Sequence, residues 1–124
     1  DGEPMLDGGI ADSIPLLRAR ELGFDNNLVV LTRNKGYRKP QKPTAVPWFF
    51  YRKYPLLREA IRRRNTLYNE QIDLVERLED KGELVVIRPQ RPITVDRIER
   101  DTRKLLDLYN EGYECAAAVE FVKG

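Results

Sequence analysis

The sequence predicts an α/β fold, with an incomplete, mainly parallel sheet, flanking helices and a helical C-terminal extension. Three observations carry this expectation. Leu28 to Leu31 (LVVL) and Glu83 to Ile87 (ELVVI) are near-continuous apolar runs, the pattern of strands covered on both faces. Segments with helical periodicity lie before, between and after them. Glycine or proline punctuates the junctions.

Taken in order, Pro4 to Leu6 is a short apolar stretch that runs into Asp7-Gly8-Gly9, a turn sequence. Asp12-Ser13 offers N-cap chemistry and Pro15 suits a first helical turn. A helix is expected from Ile14 to Leu22, with Ile14, Leu17 and Leu22 near one face and Gly23 closing it. With the strand at Leu28–Leu31, this makes a right-handed βαβ unit within the first thirty-two residues. Arg33 to Pro47 holds Pro40, Pro43 and Pro47 and reads as loop. From Leu56, Leu57, Ile61, Arg64, Tyr68, Ile72, Val75 and Leu78 recur at helical spacing, as one long helix or as two joined near Asn65, of which the break is favoured, with an end at Gly82. After Pro89 and Pro92 a last helix is expected from Val95. Its apolar face would be Ile98, Leu105, Tyr109 and Ala116, with Glu99, Arg100, Asp101, Arg103 and Lys104 opposite. Residues 1–33 are one organisational segment and 34–124 the other, within a single unit.

The chain has 124 residues, one domain by size. Its mean hydropathy is -0.57, and no run approaches the ~18 apolar residues of a membrane span. The one cysteine, Cys115, excludes an internal disulfide framework. With no histidine, the chain cannot by itself build a Ser-His-Asp triad, a Cys-His dyad or a His-ligated zinc site. Ser13 is its sole serine. The chain opens on Asp1 and reads as a piece of a longer polypeptide.

Asp7 stands at the expected carboxyl end of a strand, where open α/β sheets collect function. A carboxylate on a glycine turn can accept a proton from a nucleophile. Asp-Gly-Gly is also a common turn sequence. Ser13 reads as an N-cap, its oxygen directed at its own helix. Cys115, with Glu111 and Glu114 nearby, reads as structural, because acidic neighbours disfavour the thiolate.

The stretch from Met5 to Arg33, MLDGGIADSIPLLRARELGFDNNLVVLTR, resembles the aspartate-bearing segment of the bacterial patatin-like phospholipases. GYRKP (Gly36 to Pro40) and KYPLLREAIRRRNTLYNEQ (Lys53 to Gln71) are similar to the C-terminal part of those enzymes. That family uses a Ser-Asp dyad without histidine. The resemblance implies the C-terminal half of an α/β/α fold, with Asp7 the base for an upstream serine and Gly8 and Gly9 the motif glycines. It implies attack on a phospholipid or other acyl ester, and an acyl-enzyme cleared by water. No metal or organic cofactor is implied. The expected location is the cytoplasm, in contact with the inner membrane leaflet. The family's G-x-S-x-G elbow and Gly-rich oxyanion loop do not occur here. By itself the chain is therefore expected to be inert, to need the missing N-terminal half of its own protein, and to self-associate through uncovered sheet or apolar surface.

The net charge of +2 conceals an asymmetry. From Arg33 to Arg64 eleven Lys and Arg stand against one acid, Glu59, while the remainder holds eleven bases and nineteen acids. Arg62, Arg63 and Arg64, with Trp48, Phe49, Phe50, Tyr51 and Tyr54 close by in sequence, suit an anionic membrane surface or a nucleic-acid backbone. The alternative function is thus a non-catalytic α/β module that binds anionic lipid or nucleic acid. A solvated helix face beside buried aromatics is the plainer reading of the same residues.

Overall fold

The computed structural model describes residues 2, 5–47, 49, 51–96 and 98–119. A single 3-10 turn at Gly8–Ile10 precedes α1 (Leu16–Glu21), β1 (Leu28–Val30), α2 (Pro55–Asp80), β2 (Val85–Ile87) and α3 (Thr102–Ala117). The class is α/β. β1 and β2 pair in parallel, with Leu28, Val29 and Val30 opposite Val85, Val86 and Ile87. The Leu31 N–H continues the ladder to the Ile87 carbonyl at 2.8 Å.

The βαβ unit is β1–α2–β2, with α2 as the crossover, rather than the first thirty-two residues. Met5 to Asp7 form no strand, and Pro4 lies outside the described residues. Met5 and Leu6 are exposed. Two apolar residues ahead of a turn are too few to hold a ladder without a neighbouring strand to receive it.

α1 begins two residues later than its sequence suggests. Pro15 occupies the N-cap without a side-chain cap. Asp12 instead accepts from the Gln71 amide, and Gln71 Oε1 accepts from the Ile14 N–H at 3.2 Å, so one α2 side chain clamps both sides of this turn. The buried member of the α1 face is Leu16, with Ile14 packed beside it, whereas Leu17 and Leu22 are exposed. Both predicted glycine stops hold. Gly23 (φ 86) and Gly82 (φ 72) take the left-handed conformation. The next N–H in each case bonds back five residues, Phe24 to Ala19 and Glu83 to Leu78.

α2 is continuous through Asn65. Asparagine costs a helix interior only about 0.7 kcal/mol relative to alanine. Here its amide is also used, donating to the Pro40 carbonyl at 3.1 Å. The predicted inward face is right: Ile72, Val75 and Leu78 are buried, and Leu57, Ile61, Arg64 and Tyr68 are half-buried. The core joins those three with Leu16, Leu31 and Leu84, and Val75 is 0% exposed at its centre.

The segment after β1 has no regular secondary structure, yet it is tied down along α2. Lys35 pairs with Asp80 at 2.7 Å, and the Gly36 N–H donates to Glu76 at 2.9 Å. Arg38 reaches Asp73 and Glu76 at 2.6 and 2.7 Å. The Lys39 N–H donates to Asn69 Oδ1 at 2.8 Å and its carbonyl accepts from Asn69 Nδ2 at 3.0 Å. The segment therefore runs as a strap from the C-terminal end of α2 toward its N-terminal end. Arg88, leaving β2, enters the same charged cluster. Its side chain is 9% exposed and pairs with Glu76 at 3.3 Å and with Glu79.

α3 starts at Thr102, not Val95, because Asp101 caps it, accepting from the Arg103 N–H at 2.9 Å. Glu99 takes the N–H groups of Arg100 and Asp101, which holds its carboxyl below the usual range. The half-buried side of α3 is Leu108, Glu111 and Cys115; Leu105, Tyr109 and Ala116 are exposed, as is Ile98 ahead of the helix. Among the described residues no helix is long and apolar enough to cross a membrane.

Candidate functional site

Asp7 is the N-cap of the 3-10 turn, and its Oδ1 accepts from the Gly9 N–H at 2.8 Å. The side chain is exposed, and Oδ2 forms no hydrogen bond among the described residues. Gly8 and Gly9 do not adopt left-handed φ angles. What the motif needs from Gly9 is close approach. A Cβ there would lie 3.2 Å from Asp7 Oδ1, tighter than ordinary van der Waals contact. The carboxylate is thus held on one oxygen by backbone and left open on the other.

Ser13 is not an N-cap. Its Oγ donates to the Gly9 carbonyl at 2.9 Å, folding the turn back on itself and committing the hydroxyl proton. A cleft of about 290 Å³ begins at Ser13 and runs between the start of α1 and β1, lined by Ile14, Leu16, Val29 and Leu31.

Sequence reasoning missed a second cavity. It measures about 350 Å³ and lies between α3 and the carboxyl ends of both strands, lined by Val30, Leu31, Ile87, Pro89, Leu108 and Cys115. Its location follows from where α3 lies against the strand ends, which the two apolar runs do not specify. Cys115 is free and half-buried, consistent with a packing role. Among the described residues no three Cys, Asp or Glu gather as a metal site.

The three consecutive arginines do not make one patch, because neighbouring residues on a helix point about 100° apart. Arg62 and Arg63 are exposed, and Arg64 is half-buried with its Nε unpaired among the described residues. Arg62 instead joins Arg58, one turn earlier, in a groove of about 420 Å³ beneath strap residues Pro43 to Pro47. Phe49, Tyr51 and Tyr54 are exposed at this end of α2, while Trp48 and Phe50 lie outside the described residues.

A family model described as a domain of unknown function, DUF6363, matches residues 54–119, more than half of the chain. The chain belongs to the DUF6363 family. No curated protein and no solved structure matches it. The DUF6363 match begins at the N-cap of α2 and takes in α2, β2 and α3. Asp7 and β1 lie outside it, so the strand that pairs with β2 comes from outside the matched segment.

Proposed function

We propose that this chain is the aspartate-bearing C-terminal part of a patatin-like acyl hydrolase. Asp7 is then the general base for a serine on a G-x-S-x-G elbow in polypeptide N-terminal to it. The observation that carries the reading is the state of the Asp7 carboxylate: fixed through Oδ1 by the Gly9 N–H and open at Oδ2. A base needs both properties, a defined position and a free lone pair facing the donor. This chain holds no histidine to compete for that role, and Asp7 is the carboxylate that the resemblance assigns to it. The Oδ2 lone pair accepts the serine hydroxyl proton as the serine oxygen attacks the ester carbonyl. The Asp7 carboxyl returns that proton to the departing alcohol, and, ionised again, takes a proton from the water that attacks the acyl-enzyme and passes it to the released serine oxygen. Ser13 cannot replace the missing nucleophile, because its hydroxyl is bonded to the Gly9 carbonyl.

The test is nitrophenyl-ester hydrolysis by the longer polypeptide that carries the elbow, with and without Asp7→Asn. Asparagine retains the acceptor oxygen for the Gly9 N–H and loses the basic lone pair. The expected result is a fall in kcat of about 10²–10⁴ with unchanged thermal stability. Full activity in Asp7→Asn would remove Asp7 from the mechanism, and no hydrolysis by the unaltered polypeptide would favour the non-catalytic binding module.

A further inference from the structure

We propose that the N-terminal end of α2 docks on an anionic lipid bilayer, with Arg58 and Arg62 holding headgroup phosphates and Leu56 entering the acyl layer. The argument begins with how charge is divided along α2. Its first half carries Arg58, Arg62, Arg63 and Arg64 against Glu59 alone, and its second half carries Glu70, Asp73, Glu76, Glu79 and Asp80 against Arg77 alone. A cation in the first turn and acids in the last turn both oppose the helix macrodipole. At the acidic end the fold itself supplies compensation, through Lys35, Arg38 and Arg88. At the basic end none of the four arginines forms an ion pair among the described residues. Arg58 and Arg62 are also like charges one turn apart, a further cost to an isolated helix.

Geometry narrows the ligand. Arg58 and Arg62 share a groove with Pro43, Thr44, Ala45, Val46 and Pro47, a segment with no acid, and Arg58 Nε is buried without a hydrogen-bond partner among the described residues. Guanidinium groups in this setting suit phosphate oxygens. At the same end of α2 the exposed surface is apolar and aromatic: Leu56, in the first turn and across the helix from Arg58 and Arg62, is 86% exposed, and Phe49 and Tyr54 are more than half exposed. Arg52 and Lys53 add positive charge at the same end. Aromatic rings at headgroup level and cations against anionic lipid fit a bilayer surface. Leu56 decides between lipid and nucleic acid: an aliphatic side chain has no π-face on which a base could stack, yet it gains by leaving water for hydrocarbon. This surface does not include Asp7 and stands independently of the acyl-hydrolase reading.

Co-sedimentation of the 124-residue chain with vesicles of phosphatidylcholine and phosphatidylglycerol, against phosphatidylcholine alone, tests the proposal. Binding to the mixed vesicles that weakens as salt rises is expected. Arg58→Gln with Arg62→Gln should cost about thirty-fold in affinity, whereas Arg100→Gln with Arg103→Gln should cost at most a few-fold. Arg58→Lys with Arg62→Lys keeps the charge and should retain most of the binding, which separates loss of charge from loss of fold. Leu56→Ser should weaken vesicle binding and leave binding of a single-stranded oligonucleotide unchanged, and Asp7→Asn should leave vesicle binding unchanged. Equal binding to both vesicle types would overturn the proposal, as would indifference to the Arg58 and Arg62 changes. So would a preference for the oligonucleotide in direct competition, or displacement from vesicles by inorganic phosphate beyond the effect of its ionic strength.

Discussion

At Gly9, a single missing Cβ lets the Asp7 carboxylate approach the backbone N–H. Gly9→Ala should displace that carboxylate without disturbing the core, which lies on other elements. In the longer polypeptide it should lower ester hydrolysis at least tenfold with little change in unfolding midpoint, as read by kinetics beside thermal denaturation. Glu76 is the other residue whose surroundings set its chemistry. Its hydrogen bond with Arg38 is the main influence, with the Gly36 N–H and the nearby Arg88 adding to it, and together they hold its carboxyl below the usual glutamate range. Its folded pKa lies below the unfolded one, so the stabilisation is complete above the ordinary glutamate range. It is lost as pH falls through the depressed value. The unfolding midpoint should therefore drop on acidification from about pH 6 to about pH 3, and Glu76→Gln should flatten this segment of the profile. At neutral pH the same change should cost about 2 kcal/mol, because the nearly buried Arg88 loses a charged partner.

At the scale of elements, α2 is the organiser. One face of it enters the core and another holds the strap. Val75→Ala empties the fully buried centre of that core and should cost roughly 2 kcal/mol in chemical denaturation. The face itself was legible from spacing, since Ile72, Val75 and Leu78 recur at three while Leu57, Ile61 and Tyr68 extend the same line. Both strands were legible as apolar runs, and both helix stops as glycines. The strap was not, because its order comes from polar side chains of α2 far along the chain, and such pairings leave no local period. The buried side of α3 was misjudged for a related reason. Leu105 and Tyr109 look like the better apolar stripe, but the Asp101 cap sets where the helix starts, and Leu108 and Cys115 are the residues that line the cavity shared with the strand ends. At the candidate site, Asp7 was legible as a candidate, but the geometry of its turn was not. The Ser13 hydroxyl donates to the Gly9 carbonyl instead of accepting from an α1 N–H, a choice between a local acceptor and a local donor that composition does not decide.

At the scale of the whole molecule, six buried apolar residues form the core among the described residues, a small interior. Leu105, Leu106, Tyr109 and Tyr113 remain exposed on α3, and the sheet described has only two strands. A surface of this kind is expected to self-associate. Sedimentation velocity should show a species larger than a monomer that grows with concentration. Leu106→Asp with Tyr109→Asp should return it toward the monomer, and a strictly monomeric chain at every concentration would argue against the uncovered surface. The DUF6363 match spans α2 to α3, while the carboxylate on which the acyl-hydrolase proposal depends precedes it. Covalent labelling of the elbow serine by a fluorophosphonate, in the longer polypeptide, tests that carboxylate most directly, because it reads nucleophile activation without regard to which ester is the natural substrate. The expected result is that Asp7→Asn slows labelling by about a hundredfold or more while the protein stays folded. Labelling at an unchanged rate would contradict it.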